Sequence, residues 1–233
     1  GADAGRNTTS NFNVAVGYFA LKGMRPSSSD YDVGVTGSSN TAVSPYCNRN
    51  TNSQNYGTFL GFNAQAHSVN SFVSGDYNVV LGANATTAST STGYSITLGH
   101  SDITSLRCQQ TSISSLSDRR DKTNIIDSPY GLTFLNSIRP VQFTWRRRKL
   151  LPHEFTRTDK FNGVTRLGFI AQELQAAQDA VSNTTKDIVD LVLNDNPRRL
   201  EAKQGNMIPV LVKAVQELSA KVDALTTRVT ALE

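Results

Sequence analysis

A serine and a lysine stand five residues apart near the middle of this 233-residue chain, at Ser117 and Lys122. A serine hydroxyl becomes an effective nucleophile only when a neighbouring base takes its proton. A lysine amine can serve as that base where burial lowers its ordinary pKa of about 10.4 by several units. The pair could therefore cut a peptide bond, as Ser–Lys pairs do elsewhere. The spacing alone favours a simpler interpretation, in which the charged run around Lys122 is a solvated domain boundary.

The charge distribution changes at the same place. Only 10 of the first 116 residues are charged, against 32 of the last 117, and 12 of the 16 glycines precede the change. We therefore predict two domains, 1–116 and 117–233, in place of one continuous core. The net charge of +4 lies wholly in the second half and is too small to indicate a nucleic-acid binder. The sequence has no apolar run long enough for membrane insertion.

The first half repeats a short motif: an aromatic residue, three further residues, Val or Leu, and then Gly. Its copies begin at Phe12, Tyr56, Tyr77 and Tyr94. The motif predicts strands of about five residues, each ended by a glycine where the chain turns. Such units cannot bury a core alone, so we expect them to stack on one another or on other chains. The alternative is a flexible Ser/Thr/Asn-rich linker. The motif resembles the head repeats of trimeric adhesins and the shafts of viral tail fibres.

The second half predicts a mixture of helices and strands. The sequence predicts a short helix over 132–138, ended by Pro140, because the residue before a proline avoids helical torsions. A second helix is predicted over 171–180 from helix propensity. Strands are expected at 141–145 and 166–170.

The last segment carries a heptad pattern that predicts a coiled-coil helix over 207–233. Its β-branched and Leu positions nominally favour two chains, and the apolar stripe could instead pack on its own domain. We call this stripe the seam; it consists of Ile208, Leu211, Val215, Leu218, Val222, Leu225, Val229 and Leu232.

Four blocks of the second half resemble a known family. They are SDRRDKTNI at 117–125, VQFTW at 141–145, LGFIAQEL at 167–174 and IPVLVKAVQEL at 208–218. In content and order they are similar to the C-terminal intramolecular chaperone domain of endosialidases, phage tail spikes and fibres, and neck-appendage proteins. The resemblance implies an α+β protein. An N-terminal all-β trimeric fibre, β-roll or β-helix-like, would precede a mixed α/β chaperone domain that ends in the coiled-coil helix.

The resemblance also implies a self-cleaving serine endopeptidase that acts once, on its own chain. Ser117 would be the nucleophile, Lys122 the general base, and Leu116–Ser117 the scissile bond. Solvated surface charge is the competing interpretation for the charged residues between Ser117 and Lys122. The candidate supporting residues are Asp118, Arg120 and Glu173.

The implied partners are two further copies of the chain, which form a homotrimer, and the N-terminal fibre region as the folding client. A host-surface glycan or receptor would bind the fibre. Neither a cofactor nor a metal is expected. The fibre would belong to a virion tail fibre or appendage, and the released C-terminal domain to the host cytoplasm during assembly.

Three other classes remain open from the residues. A trimeric adhesin or receptor-binding fibre tip would use the coiled coil for oligomerisation without cleavage. A nuclear regulator with the same module would need a DNA-binding domain, which the uncharged repeats argue against. A conventional hydrolase is disfavoured because His67, His100 and His153 are scattered. The two cysteines, Cys47 and Cys108, match no metal spacing and are expected to be unbridged packing residues.

Overall fold

The structure, a computed structural model, describes residues 1–6, 8, 10–23, 37–48, 53–66, 75–89, 91–100, 102–103, 105–110, 112–145, 163–181 and 189–232. Of the histidines considered above, His67 and His153 lie outside these ranges. The chain divides into two compact units, unit 1 over Gly1–Cys108 and unit 2 over Gln109–Glu233. Among the described residues no helix is long and apolar enough to cross a membrane.

Unit 1 is built on a parallel sheet whose strands pair in sequence order. Each of its five described strands has three residues, fewer than the motif predicts. The strands are short because residues with a left-handed backbone bound them, as Tyr56 at φ 55° and Gly61 at φ 130° do on either side of one strand. The strands are β1 (Val14–Val16), β2 (Thr41–Val43), β3 (Thr58–Leu60), β4 (Val79–Leu81) and β5 (Ile96–Leu98).

Strand β2 is a repeat that the motif missed. Ser39 occupies the place of the aromatic residue with φ 60°, and Ser44 occupies the place of the glycine with φ 130°. The backbone therefore keeps the repeat's torsions although neither defining residue type is present. The long interval between Gly17 and Gly61 thus holds an additional strand.

The middle residue of each strand points inward, and Ala42, Phe59 and Val80 are fully buried there. Buried asparagines join neighbouring strands: Asn40 Oδ1 accepts a hydrogen bond from Gly57 N at 2.8 Å, and Asn40 Nδ2 donates to Gln54 O at 2.7 Å. Asn78 Nδ2 repeats the second contact on Thr92 O at 2.8 Å. Since a buried amide without partners is costly, these contacts favour one strand register.

Unit 2 mixes helices with antiparallel strand pairs. Strand β6 (Val141–Thr144) pairs with β7 (Thr165–Gly168), and β8 (Val192–Leu193) pairs with β9 (Glu201–Ala202). In the described part of the unit the helices include α1 (Leu132–Asn136), α2 (Ala171–Ala180) and the long α3 (Ile208–Thr230). Two 3-10 turns lie at Arg119–Asp121 and Gln204–Met207. The buried core consists of Phe134, Ile138, Leu174, Val189, Leu191, Val192, Met207 and Val210.

The predicted mixed α/β content and the long C-terminal helix are confirmed. Helix α1 ends two residues before the predicted boundary, because Ser137 already leaves the helical ladder and donates its hydroxyl to Phe134 O at 2.7 Å. Strands β8 and β9 were not predicted, since two-residue strands are too short to show a period of two. Helix α3 lies inside the predicted range 207–233.

Candidate active site

A single 3-10 turn at Arg119–Asp121 brings Ser117 and Lys122 together. The amides of Asp121 and Lys122 donate to the carbonyls of Asp118 and Arg119, each at 3.2 Å. A fully extended chain would separate the Cα atoms of residues five apart by about 17 Å. With the turn formed, Lys122 Nζ instead donates to Ser117 Oγ at 2.5 Å. The arrangement places an amine against the hydroxyl whose proton it would have to accept.

Asp118 is the N-cap of this turn. Its Oδ1 accepts a hydrogen bond from Arg120 N at 2.8 Å, while the Arg120 guanidinium donates to both carboxylate oxygens at 3.0 and 2.7 Å. The Arg120 side chain, and then its backbone amide, holds the pKa of Asp118 below the ordinary value of 3.8. Asp118 and Arg120, which were both predicted as supporting residues, thus contact each other.

The site is open to solvent in a single chain. All residues from Ser117 to Lys122 are exposed, and Leu116 on the other side of the predicted scissile bond is 100% exposed. Ile113 and Ile126, which flank the site, are also exposed. The burial that Ser–Lys chemistry requires is therefore not supplied by the described residues of this chain.

A hydroxyl lies near the predicted scissile carbonyl. Ser115 Oγ donates to Leu116 O at 3.5 Å, a long contact in the present geometry. Donors at this oxygen stabilise the negative charge that develops during acyl transfer. Sequence reasoning did not single out Ser115, because one serine in a serine-rich stretch carries no distinguishing pattern.

Glu173 stands apart from the Ser–Lys contact. Its carboxylate accepts a hydrogen bond from Arg139 Nε at 3.0 Å and also pairs with Arg139 Nη2. Among the described residues no hydrogen bond or ion pair joins Glu173 to Ser117 or Lys122. The pair instead joins the first turn of α2 to the segment that follows α1.

Helix α3 uses two different faces. Val210 and Ala214 are buried, and Glu217 Oε2 accepts a hydrogen bond from Leu132 N at 2.8 Å, so this face packs on the helix's own unit at α1. The seam lies about 100° away around the helix. Every residue of the seam is exposed, and from Leu218 to Thr230 the whole helix is exposed. The alternative in which the seam packs on its own domain is therefore wrong for the single chain.

Unit 1 exposes an apolar surface that we call the outer face. It is formed by the outward residues of the strands together with two aromatic columns, and no strand residue is charged. One column stacks Tyr56, Tyr77 and Tyr94 with ring centroids 4.6 and 4.9 Å apart. The other consists of Tyr18, Tyr46 and Phe62 in edge-to-face contact. The exposed aliphatic residues include Val14, Val16, Leu60, Ile96 and Leu98.

The remaining candidates among the described residues are possible metal ligands, His100 and the two cysteines. In the described part of the chain, no cluster of three or more His, Cys, Asp or Glu residues could hold a metal. His100 Nδ1 lies 3.4 Å from Asp102 Oδ2. Neither cysteine forms a disulfide; Cys47 is buried as expected of a packing residue, whereas Cys108 is exposed. Burial raises the pKa of the Cys47 thiol to about 12.

Comparison with known protein families gives a match over part of the second half. The model of the chaperone of endosialidase family matches residues 117–183, and the match begins at Ser117. It covers the first three of the four sequence blocks, while the fourth, at 208–218, lies beyond it. Searches of curated proteins and of solved structures gave no match. The predicted resemblance is therefore confirmed, and residues 117–183 match the chaperone of endosialidase family.

Proposed function

We propose that this protein is an intramolecular chaperone that trimerises a viral fibre or appendage and then releases itself by cutting the Leu116–Ser117 bond. The family match supports the intramolecular chaperone role. The observation that carries the cleavage is the contact of Lys122 Nζ with Ser117 Oγ at 2.5 Å, beside the proposed scissile bond. No cofactor enters the proposed reaction.

The proposed chemistry balances within the junction and one water molecule. Lys122 Nζ in its neutral form takes the proton of Ser117 Oγ as that oxygen attacks the carbonyl carbon of Leu116. The carbon–nitrogen bond between Leu116 and Ser117 breaks, and the Ser117 nitrogen receives the proton from Lys122. Water then hydrolyses the resulting ester. The products are a Leu116 carboxylate and a chain that begins with Ser117, with its hydroxyl restored.

Ser115 is the candidate donor for the oxygen that becomes negative. Its hydroxyl already points to Leu116 O, and a shortening of the 3.5 Å contact during attack would strengthen the bond to the developing charge. Catalytic hydrogen bonds are commonly long before the reacting geometry is reached. We therefore assign Ser115 the oxyanion role within this proposal.

The uncovered seam of α3 supports self-association. Helix α3 is about 35 Å long, and its exposed half carries apolar residues at heptad spacing with no cover from its own unit. Parallel association of these helices would bury the seam. Three chains follow from the family resemblance, since the heptad residue types alone favour two.

The outer face of unit 1 supports its role as the folding client. Monomeric proteins rarely expose apolar patches larger than about 300–600 Å². Strands with exposed Val, Leu and Ile residues, flanked by two aromatic columns, need to be covered by neighbouring copies. Chains that associate at random would expose such surfaces to aggregation, and a coiled coil that aligns three chains raises their effective concentration in one register.

Assembly would also control the timing of cleavage. Ser117 and Lys122 are exposed in a single chain, so packing of neighbouring copies is the event that would bury the pair. Release would then follow correct assembly. The fibre would remain in the virion and the released chaperone in the host cytoplasm. Without its chaperone the fibre could not readily refold, so its persistence would be kinetic.

A second function is favoured by one observation. The tyrosine column presents exposed rings, and Tyr94 at its end is 83% exposed. Aromatic rings of this kind serve as contact residues at binding surfaces. A trimeric adhesin or fibre tip would use this column for a host glycan or receptor and would keep the C-terminal unit uncut.

The test is the mass of the purified chain with and without its nucleophile. The wild-type chain is expected to yield a fragment that begins at Ser117, while Ser117→Ala remains intact and Lys122→Met is cut at least about 100-fold more slowly. Mass spectrometry and N-terminal sequencing identify the new terminus. Asp127→Ala, which removes an exposed charge outside the 3-10 turn, is the control and should be cut normally. An intact wild-type chain in its assembled state contradicts the cleavage and favours the adhesin.

A further inference from the structure

We propose that Asp118 is a positioning residue for the self-cleavage: by capping the 3-10 turn, its carboxylate holds the Lys122 amine against the Ser117 hydroxyl. The inference rests on the proposed function, because it assigns a role in that reaction. It concerns a group that touches neither the scissile bond nor Ser117 Oγ in the described contacts. Asp118 acts through the conformation of the chain between the two reacting residues.

The turn needs such support because little else holds it. It is one isolated 3-10 turn with two backbone hydrogen bonds of 3.2 Å and no buried residue. Forming a first helical turn fixes several torsions for few hydrogen bonds and is intrinsically unfavourable. The cap bond from Arg120 N to Asp118 Oδ1, at 2.8 Å, is shorter than either backbone bond of the turn.

Asp118 makes two contacts that can be separated. The first is the cap, which needs an acceptor oxygen on residue 118 but no charge. The second is the ion pair with the Arg120 side chain, which is 88% exposed while that of Asp118 is 44% exposed. Exposed ion pairs contribute little, because water screens them and two side chains must be ordered. We therefore assign the positioning to the cap and not to the charge pair.

The population of the closed turn enters directly into the rate of attack. Ser117 Oγ can lose its proton to Lys122 only while the two side chains are in contact, as they are when the turn is formed. Loss of the cap lowers that population and slows cleavage without changing the reacting groups. The surrounding fold is unaffected, because residues 117–122 are exposed and contribute no buried side chain to unit 2.

The experiment compares three variants of the full chain in a time course of cleavage followed by electrophoresis. Asp118→Ala removes the acceptor and is expected to slow cleavage about fivefold, as expected for the loss of one N-cap bond. Asp118→Asn removes the charge but keeps the acceptor, so it should restore the rate to within about twofold of wild type. Arg120→Ala keeps the backbone amide that donates the cap bond and should also stay within about twofold. All three should assemble like the wild type in light scattering.

Two results overturn the assignment while leaving the proposed function intact. One is a wild-type rate in Asp118→Ala. The other is an equal loss in Asp118→Ala and Asp118→Asn, which would show that charge and not the cap matters. If the wild-type chain is itself uncut, the proposed cleavage fails. Nuclear Overhauser contacts between the Ser117 and Lys122 side chains then test whether the Asp118 cap holds these two side chains together. Those contacts should weaken in Asp118→Ala alone; equal contacts in all variants contradict the inference.

Discussion

Two neighbouring cations at the junction have different surroundings. The Arg120 guanidinium is paired with Asp118, whereas the Lys122 amine contacts the neutral hydroxyl of Ser117. The Asp118 carboxylate is thus engaged by an arginine, and among the described residues no ion pair to Lys122 forms. A base that must give up its proton is better served by a hydroxyl neighbour than by a carboxylate, because a nearby negative charge stabilises the protonated amine.

The family resemblance predicted the Ser–Lys pair, whereas residue types and spacing alone favoured a solvated domain boundary. They did not predict how the chain folds back, because a 3-10 turn of three residues has no periodic signature in sequence. Asp118 could have been recognised as an N-cap from its type, with Arg120 N two residues later. The spatial partner of Glu173 could not have been found, because Arg139 lies 34 residues away and their contact depends on the packing of unit 2.

The Arg139–Glu173 pair gives a pH-dependent contribution to stability. The Arg139 side chain holds the pKa of Glu173 below its ordinary value of 4.5. A carboxylate with a lowered pKa in the folded state stabilises the fold above its ordinary pKa, and that contribution is lost as the pH falls through the lowered value. Wild type should therefore exceed Glu173→Gln in thermal stability at neutral pH, by a small margin because both side chains are exposed.

The difference in melting temperature between wild type and Glu173→Gln should disappear on acidification below pH 4.5, the ordinary pKa of Glu173. Calorimetric melting temperatures at several pH values measure it. Glu201→Gln is the matched control, because it removes another exposed carboxylate whose separation from its arginine, Arg199, is longer at 3.8 Å. A constant offset between wild type and Glu173→Gln at all pH values would contradict the role of the ion pair.

The repeats of unit 1 are defined by backbone torsions more than by residue types. Four strands were predicted by an aromatic residue and a glycine, yet β2 forms with serines at both places. The motif missed β2 because it specifies residue types, whereas the repeat is defined by positive φ at the two positions that bound each strand. Ser44 at φ 130° occupies a backbone region that is nearly restricted to glycine, at a cost of about 1–3 kcal/mol.

Ser44→Gly should therefore stabilise unit 1 by about 1 kcal/mol, because glycine adopts this torsion without strain and the substitution changes no residue of the strands. Hydrogen exchange of the β2 and β3 amides, followed by mass spectrometry, should slow about fivefold where local opening limits exchange. Gly61→Ala is the opposite control. Gly61 has φ 130°, and an added Cβ would lie 2.7 Å from the carbonyl carbon of Gly82, so exchange should accelerate. Faster exchange in Ser44→Gly would show that the serine is needed for another reason.

Helix α3 shows what a heptad pattern can and cannot specify. Seven of the eight seam residues lie within Ile208–Thr230 as one continuous apolar stripe, and Leu232 follows the end of the helix. The pattern could not reveal that Val210, Ala214 and Glu217 form a separate contact face, since the cap on Leu132 N depends on a residue 85 positions away. The helix thus both completes the core of its unit and offers an uncovered stripe.

Composition and contacts divide the chain at neighbouring places. The charge density changes before Ser117, whereas the compact units meet between Cys108 and Gln109. The two boundaries differ because charge density describes how polar each segment is, whereas contacts describe which residues pack together. The prediction of domains at 1–116 and 117–233 stays a prediction, as does the trimeric state of the fibre.

Leu218→Asp tests the dependence of cleavage on assembly. A charge in the seam should prevent association, so the chain is expected at the mass of one 25.3 kDa copy in light scattering and should remain uncut. Wild type is expected at about three times that mass before cleavage. Ser219→Asp places the same charge at an adjacent exposed position outside the seam and should assemble and cleave normally. A cleaved monomer of Leu218→Asp would falsify control by assembly.

The constant register of the parallel sheet has a consequence for how such a chain can change in length. Equivalent turn positions at 17, 44, 61, 82 and 99 are separated by unequal numbers of residues, yet their strands pair one-to-one. The register of the strands is therefore the same whatever the number of residues between them. Insertion or deletion of a complete repeat would lengthen or shorten the sheet by one step of about 4.8 Å. The length of the sheet in unit 1 therefore changes only by whole strands. Chains that gain or lose repeats would differ in length by discrete steps, and the pairing of the remaining strands would be unchanged.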